Sequence, residues 1–134
     1  DNICLIWATS PLIDENDLIR SYKKLRENDI DGVVACTEYT HANDLLYMDS
    51  NEFIKPLIPY NEYEKKYYNK KILFDCGAFS WIKTSIFLNE QNWVANNSMP
   101  YILPYYKGVD LDTKEDLELL EFYFEKYANN KKTK

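Results

Sequence analysis

The chain has 134 residues, of which 46% are hydrophobic, and it carries a formal net charge of −6. This length suits one domain with a modest core, and the apolar content excludes an intrinsically disordered chain. The acidic balance argues against a nucleic-acid partner, and no apolar run approaches the length of a membrane span.

The first part of the chain has the pattern of a strand, a helix and a second strand. A continuous apolar run over residues 3–8 predicts a strand that is buried on both faces. Asp14 offers a helix cap, and apolar residues then recur at helical spacing as far as Arg26. Residues 32–39 are rich in β-branched side chains and predict the second strand. Such a unit predicts a parallel crossover.

The middle of the chain has a different pattern. Residues 45–57 predict a hairpin with a polar turn. Residues 59–71 are rich in Tyr, Asn, Lys and Glu, a composition that suits an interface, a ligand rim or a solvated surface loop. The only histidine, His41, precedes the hairpin and is expected in a solvated loop.

The last part of the chain predicts another strand and two helices. Residues 77–82 read as a third core strand, and a short helix follows at about residues 83–88. Two prolines within residues 99–105 predict an extended segment at a sheet edge. After Asp112, apolar residues recur at the spacing of a terminal amphipathic helix.

Together these elements predict an α/β fold with a mostly parallel sheet and an inserted hairpin excursion. The domain is expected to span residues 1–128, and the basic segment 129–134 is expected to be a disordered tail. The three cysteines lie far apart and form no Cys-x-x-Cys pair. They are expected to be small buried hydrophobes of a cytoplasmic protein kept in a reducing environment.

Asp110 and Asp112 form the most informative polar pair, because they lie where an extended run gives way to a helix. Residues two apart in an extended backbone project to the same side, with Cα atoms about 6–7 Å apart. Both carboxylates could therefore bind one Mg²⁺, which shares its shell with water and phosphate. The same pattern also fits an ordinary loop end in which Thr113 or Asp112 caps the helix and Asp116 lies in its first turn.

Three segments, in order along the chain, resemble motifs of the acylneuraminate cytidylyltransferase family. Residues 6–12 resemble the strand-end Thr-Ser-Pro-Leu element of enzymes that activate nine-carbon acidic sugars. Residues 75–81 resemble the Asp-Ala-Gly-Gln-Phe-Tyr-Trp segment of the pseudaminic acid cytidylyltransferases. Residues 109–116 resemble the family's Asp-x-Asp-Thr-x-Glu-Asp signature. The resemblance extends from residue 3 to about residue 125.

The resemblance implies a partial, Rossmann-like nucleotidyltransferase fold that transfers cytidine monophosphate from CTP to a nonulosonic acid and releases pyrophosphate. It implies that this chain is the C-terminal half of a longer enzyme, because the family's glycine-rich phosphate loop has no counterpart among the three glycines here. It further implies a homodimer formed through the excursion at about residues 40–72. Neither nucleic acid nor a membrane is an expected partner.

Residue by residue, the resemblance assigns a metal site and a substrate site. Asp110 and Asp112 match the pair that binds Mg²⁺. The positions that match the cleft-lining turn and the sugar-facing strand are Trp7, Thr9, Ser10, Asp75, Gly77 and Phe79. Core packing is the alternative role for Phe79, and a capped turn ahead of Pro11 is the alternative for Thr9 and Ser10.

The sequence also departs from the family's pattern at positions that face the sugar. Ala78 stands where the family has Gln, and Lys65 and Lys66 fall in the region of an Arg-Ser-Gln-Asp run. These departures leave the sugar acid open. Because the phosphate loop is missing, the alternative function is a non-catalytic nucleotidyltransferase-like module that serves dimerisation or sugar binding.

Overall fold

In the computed structural model, residues 1–40 and 44–128 are described, and they form two compact units. The larger unit comprises Asp1–Thr37 and Asp75–Lys134, and the smaller unit is Glu38–Phe74. His41 and the tail 129–134 lie outside the described residues, so the loop and the disordered end predicted for them stay predictions.

The strands and helices follow the order that the sequence pattern predicts. They are β1 (Asn2–Ile6), α1 (Glu15–Glu27), β2 (Gly32–Glu38), β3 (Leu46–Met48), β4 (Ile54–Pro56), α2 (Tyr60–Tyr67), β5 (Leu73–Lys83), α3 (Thr84–Glu90), β6 (Ser98–Ile102) and α4 (Lys114–Tyr123). A 3₁₀ turn at Tyr105–Lys107 precedes α4, and a π-helical turn at Phe124–Ala128 continues it. Within residues 1–40 and 44–128, no helix combines the length and the apolar composition needed to cross a bilayer.

Four strands form one mixed sheet in the order β1-β5-β2-β6. β1 pairs antiparallel with β5, and β2 pairs parallel with β6. β5 also runs antiparallel to β2. The end of β5 lies beside the start of β2, since the Lys83 backbone N–H donates to the Asp31 carbonyl at 2.9 Å, just before β2 begins. The predicted α/β class is confirmed, whereas the expected mostly parallel sheet is wrong.

The difference arises from β5, which lies between β1 and β2 and runs in the opposite direction. β1 and β2 do run in the same direction, as the strand–helix–strand pattern predicts, but they are not neighbours. An apolar run such as that of β5 can be buried in either orientation, so its pattern does not encode strand direction. The expected edge position of the proline-bearing strand is confirmed, since β6 lies at one end of the sheet.

The core of the larger unit lies where α1 covers the sheet. Leu25 and Ile30 pack with Val33 of β2, and Trp81 of β5 lies against this cluster. The Trp81 indole N–H donates to the Ser21 hydroxyl at 3.0 Å, so the polar atom of this large side chain is satisfied. Apolar burial of this kind supplies most of the free energy that holds helix and sheet together.

The smaller unit contains the hairpin that the sequence predicts at residues 45–57. β3 and β4 pair antiparallel, and Met48 lies directly opposite Ile54. The Asp49 carboxylate closes the turn by accepting the backbone N–H groups of Asn51 and Phe53 at 2.9 and 3.1 Å. The Tyr- and Lys-rich stretch, whose structure the sequence left open, contains α2.

Candidate functional site

The segment that carries Asp110 and Asp112 rises from the core of the larger unit to its surface. Val109 is buried against Leu12 and Leu120, whereas Asp110 and Asp112 are both exposed. The alternation follows from the extended backbone, in which successive side chains point to opposite sides. Burial of Val109 therefore fixes the side on which the two carboxylates emerge.

Thr113, not Asp112, caps α4. The Asp116 backbone N–H donates to the Thr113 hydroxyl oxygen at 3.2 Å. In return, the Asp116 carboxylate accepts the Thr113 hydroxyl at 2.7 Å and the backbone N–H groups of Thr113 and Asp112 at 2.8 and 3.2 Å. These hydrogen bonds lower the pKa of Asp116. The cap and the candidate metal pair coexist, because different side chains form them.

Negative charge accumulates around Asp110 without a compensating cation. The pKa of Asp110 is raised first by burial and then by repulsion from Asp112, with a smaller contribution from Asp75. Neither Asp110 nor Asp112 forms an ion pair with any residue in the described ranges 1–40 and 44–128. A bound cation would relieve this repulsion.

Gly77 is required at its position for two reasons. Its φ is +58°, and its backbone N–H donates to the Asp75 carboxylate at 3.0 Å, which together form a tight turn within β5. A Cβ atom at Gly77 would lie 2.8 and 2.9 Å from the two carboxylate oxygens of Asp110. Glycine thus permits the backbone turn and the close approach of Asp110.

The turn after β1 is attached to β5 beside these carboxylates. The Ser10 hydroxyl donates to the Gly77 carbonyl at 2.9 Å, and the Trp7 N–H donates to the Ala78 carbonyl at 3.1 Å. Ser10 is buried, whereas Trp7 and the intervening Thr9 are half-buried. The side chains of Trp7 and Thr9 are therefore partly accessible to a ligand, whereas the Ser10 hydroxyl is enclosed and already donates to Gly77.

Most of the site residues predicted from the sequence therefore converge in the larger unit. Ser10, Asp75 and Gly77 lie beside Asp110, and Asp112 interacts electrostatically with Asp110. Phe79 is different. It is completely buried, and its ring packs against Tyr101 with ring centroids 5.8 Å apart. It supports the site from inside the core and has no surface for a ligand to contact.

The site has carboxylate donors of the kind that Mg²⁺ prefers, but few of them. Within the described part of the chain, no group of three or more His, Cys, Asp or Glu side chains is arranged to hold a metal ion. Mg²⁺ usually keeps several waters and binds through one or two carboxylates together with substrate phosphates. Asp110 and Asp112 fit that second mode and do not form a complete metal cage of their own.

Lys107 is the residue of this region that the sequence did not reveal. Its side-chain nitrogen lies 3.0 Å from Asp14 and 2.5 Å from Asp17, and the side chain is only 10% exposed. Burial alone would lower the pKa of Lys107, but the hydrogen bonds to Asp17 and Asp14 outweigh it and raise the pKa. A lysine in a polar, tyrosine-rich segment ordinarily predicts a solvent-exposed side chain. The acidic residues Asp14 and Asp17 gave no signal either, because Arg20 lies three residues after Asp17 and is its ordinary helical partner in the sequence.

The chain is similar to two curated proteins, both named pseudaminic acid cytidylyltransferase. The protein from Campylobacter jejuni subsp. jejuni serotype O:23/36 is 28% identical over 130 residues, and that from serotype O:2 is 27% identical over 130 residues. Each alignment covers 92% of this chain and 54% of the relative. The resemblance predicted from the three motifs is confirmed.

The similarity has a defined extent. The chain spans about half the length of the curated relatives it matches. No protein-family model matches the chain.

Proposed function

We propose that this chain is part of an enzyme that transfers cytidine monophosphate from CTP to pseudaminic acid or a related nonulosonic acid, with release of pyrophosphate. The observation that supports this proposal most directly is the pair Asp110 and Asp112. No described cation compensates its negative charge, and it lies beside Gly77 and the turn at Ser10. These residues belong to the three segments that resemble the cytidylyltransferase motifs. The names of the two similar proteins support the same reaction.

Asp110 and Asp112 would hold Mg²⁺ in this enzyme. The ion, when bound, neutralises charge on the triphosphate and orients it for attack by the sugar hydroxyl. The chain's own contribution is positional. The cap formed by Thr113 and Asp116 holds the backbone after the pair, and Gly77 leaves the space in front of Asp110 open.

Asp75 is the best-placed polar group for the sugar. One of its carboxylate oxygens accepts the Gly77 N–H at 3.0 Å, which fixes the orientation of this exposed side chain. The second oxygen remains able to accept a hydroxyl group from a ligand. Thr9 and Trp7, on the adjoining turn, would contact the same ligand from the other side.

The phosphate-binding part of the enzyme would come from outside this chain. The chain has three glycines, and each lies in a separate part of the sequence, so they form no phosphate-cradling loop. It also covers only 54% of each curated relative. We therefore propose that it corresponds to the C-terminal half of a longer cytoplasmic enzyme and is inactive alone.

The smaller unit would supply the dimer contact. Its hairpin exposes several large apolar side chains, and the surface of a monomeric protein seldom has so many in one short segment. They are Leu46, Tyr47, Met48, Phe53, Ile54 and Leu57, whose exposed fractions range from 47% to 70%. A second copy of the same hairpin is the occupant that we propose for this surface.

The decisive assay measures pyrophosphate release from CTP by the longer enzyme, with pseudaminic acid and sialic acid as candidate acceptors. Asp112→Ala should reduce the rate more than tenfold, because a carboxylate ligand is lost while the Thr113 cap of α4 remains. Glu118→Ala is the matched control, since Glu118 is an exposed acid of α4 outside the signature segment. A loss of less than tenfold for Asp112→Ala would exclude the metal role.

A non-catalytic module for dimerisation or sugar binding is the second candidate, and the departures from the family's pattern at Ala78, Lys65 and Lys66 favour it. Sequencing the gene upstream of the codon for Asp1 separates the two. An in-frame glycine-rich segment with a basic residue supports the enzyme, whereas a start codon next to Asp1 supports the module.

A further inference from the structure

Lys107 is a buried cation outside the three motif-like segments. It is the last residue of the 3₁₀ turn at Tyr105–Lys107 and lies three residues before Asp110. Its two carboxylate partners both belong to the start of α1: Asp14 is the N-cap, and Asp17 completes the capping box. The side chains of Lys107 and Asp17 are only 10% and 11% exposed, so water screens their interaction little.

Asp17 is held from a further direction. The Tyr101 hydroxyl of β6 lies 3.3 Å from the other carboxylate oxygen of Asp17. Lys107 therefore forms ion pairs with two carboxylates whose positions are fixed by the capping of α1 and, for Asp17, by a side chain of the sheet. Such an arrangement restrains the position of Lys107 rather than merely neutralising its charge.

Three residues of the segment after β1 contact parts of the chain around Asp110. The Ser10 hydroxyl binds the Gly77 carbonyl, and Leu12 packs with Val109, the residue before Asp110. The third contact is the ion pair of Asp14 with Lys107. All three contacts are made within residues 10–14, which lead from the turn after β1 to the start of α1.

The short link between Lys107 and Asp110 transmits this restraint. A Cβ atom at Gly108 would lie 2.1 Å from the Thr37 hydroxyl oxygen and 3.1 Å from the Cys76 Cβ, so the backbone here is pressed against the sheet. Val109 is then enclosed in the core. Only these two enclosed residues separate Lys107 from Asp110, so the link between the ion pair and the carboxylate is short and has little room to rearrange.

We propose that Lys107 is a positioning residue of the metal site: its ion pairs with Asp14 and Asp17 hold Asp110 against Gly77, where the Ser10 hydroxyl is bound. The inference rests on the proposed function, since it takes Asp110 and Asp112 as the metal ligands. Buried ion pairs often contribute little net stability compared with apolar side chains of similar size. We therefore assign the ion pairs of Lys107 a role in positioning the segment that carries Asp110, rather than a role in stabilising the fold.

The test uses Mn²⁺, which accepts the same oxygen ligands as Mg²⁺, and measures its binding to the longer enzyme in the presence of CTP by electron paramagnetic resonance. Lys107→Met should weaken Mn²⁺ binding about tenfold, the lower end of the effect of removing a supporting residue at a metal site. Lys107→Arg should restore binding to within about threefold, because the guanidinium can bind both acids. Lys83→Met is the matched control: it breaks an ion pair of 2.8 Å with Asp31, away from the site, and should leave binding unchanged.

A second readout needs no metal. In nitrogen–proton NMR spectra of the metal-free chain, Lys107→Met should shift the backbone amide signals of Gly77 and Asp110, and Lys83→Met should not. If Lys107→Met does not fold, Asp17→Asn replaces it, since the amide keeps the shape and a capping oxygen but loses the charge. We expect about threefold weaker Mn²⁺ binding for that variant.

The outcomes separate the two proposals. Wild-type Mn²⁺ affinity and unshifted amide signals in Lys107→Met overturn the positioning role, even if the variant is less stable to heat. Asp112→Ala is measured in parallel. If Asp112→Ala binds Mn²⁺ as tightly as the wild-type chain, the metal pair itself is wrong and the role of Lys107 falls with it. If only Asp112→Ala weakens binding, the metal pair stands and the positioning role alone is overturned.

Discussion

The two compact units differ in what they do with their large apolar side chains. Phe79 in the larger unit is completely buried, whereas Phe53 in the smaller unit is 66% exposed. α2 has no buried residue, while Leu25 of α1 and Leu120 of α4 are both buried. The same residue types therefore build a core in one unit and a surface in the other.

This contrast indicates different sources of order. The larger unit has a four-stranded sheet covered by α1, and it buries an apolar core between them. The smaller unit has a two-stranded ribbon and one helix of eight residues, a combination that is marginal in isolation. The smaller unit would gain most from a partner surface, which is the basis of the dimer proposal.

The largest test of the contrast compares two phenylalanines. Phe79→Ala should lower the free energy of unfolding by about 3–5 kcal/mol, because it leaves a cavity in the core. Phe53→Ala should change it by about 0.5 kcal/mol or less, because its ring is mostly in water already. Urea denaturation followed by circular dichroism measures both. Equal losses would mean that the smaller unit has a core of its own.

A second test breaks the proposed contact. Met48 and Ile54 lie opposite each other across the hairpin, and both are 70% exposed. Ile54→Lys should raise the dissociation constant of self-association at least about tenfold, as expected when a charge enters an apolar contact. Ile19→Lys is the matched control, since Ile19 is 62% exposed on α1 of the other unit. Sedimentation equilibrium gives the constants, and a wild-type chain that stays monomeric up to about 1 mM, a concentration at which weak specific complexes form, contradicts the homodimer.

The smallest expected effect distinguishes two carboxylates of one segment. The pKa of Asp110 is raised from its ordinary 3.8 by burial and by Asp112, so the unfolded chain releases this proton first. Stability is therefore lost as the pH rises from 3.8 through the folded-state pKa, and it stays lower above that range. Asp110→Asn should raise the free energy of unfolding at pH 7 by about 0.5 kcal/mol or less, because Asp110 is exposed and screened.

The pKa shift of Asp116 has the opposite effect on stability. Its pKa is lowered from 3.8 by the Thr113 hydroxyl and backbone N–H groups, so its contribution is present above 3.8 and is lost as the pH falls through the folded-state value. Asp116→Asn should destabilise the chain at neutral pH, and the difference should vanish in acid. Urea titrations across the range from pH 2 to pH 7 compare both variants, and shifts of equal sign would contradict these environments.

The sequence predicted the elements better than their arrangement. The apolar periodicity located α1, β2 and α4, because burial of one helix face or of a whole strand imposes that spacing directly. It did not reveal that β5 runs between β1 and β2 in the opposite direction. Pairing partners and strand direction depend on how distant segments meet, and a local pattern carries little information about that.

The site shows the same division. The motif spacing pointed to Asp110, Asp112 and Gly77, which the structure brings close together, whereas nothing in the sequence pointed to the ion pairs of Lys107. Its partners Asp14 and Asp17 are about ninety residues away along the chain. A lone lysine near tyrosines has no local feature that separates a buried ion pair from a solvated side chain.

The alternate attachments of residues 10–14 have a consequence for altering the sugar preference by mutagenesis. Ser10, Leu12 and Asp14 each hold a distant part of the larger unit and leave little freedom for change. The residue before Ser10 and the two positions between the three anchors are Thr9, Pro11 and Ile13, and they are exposed or half-buried. A combinatorial library restricted to those three positions would vary the lining of the cleft while its framework stays intact.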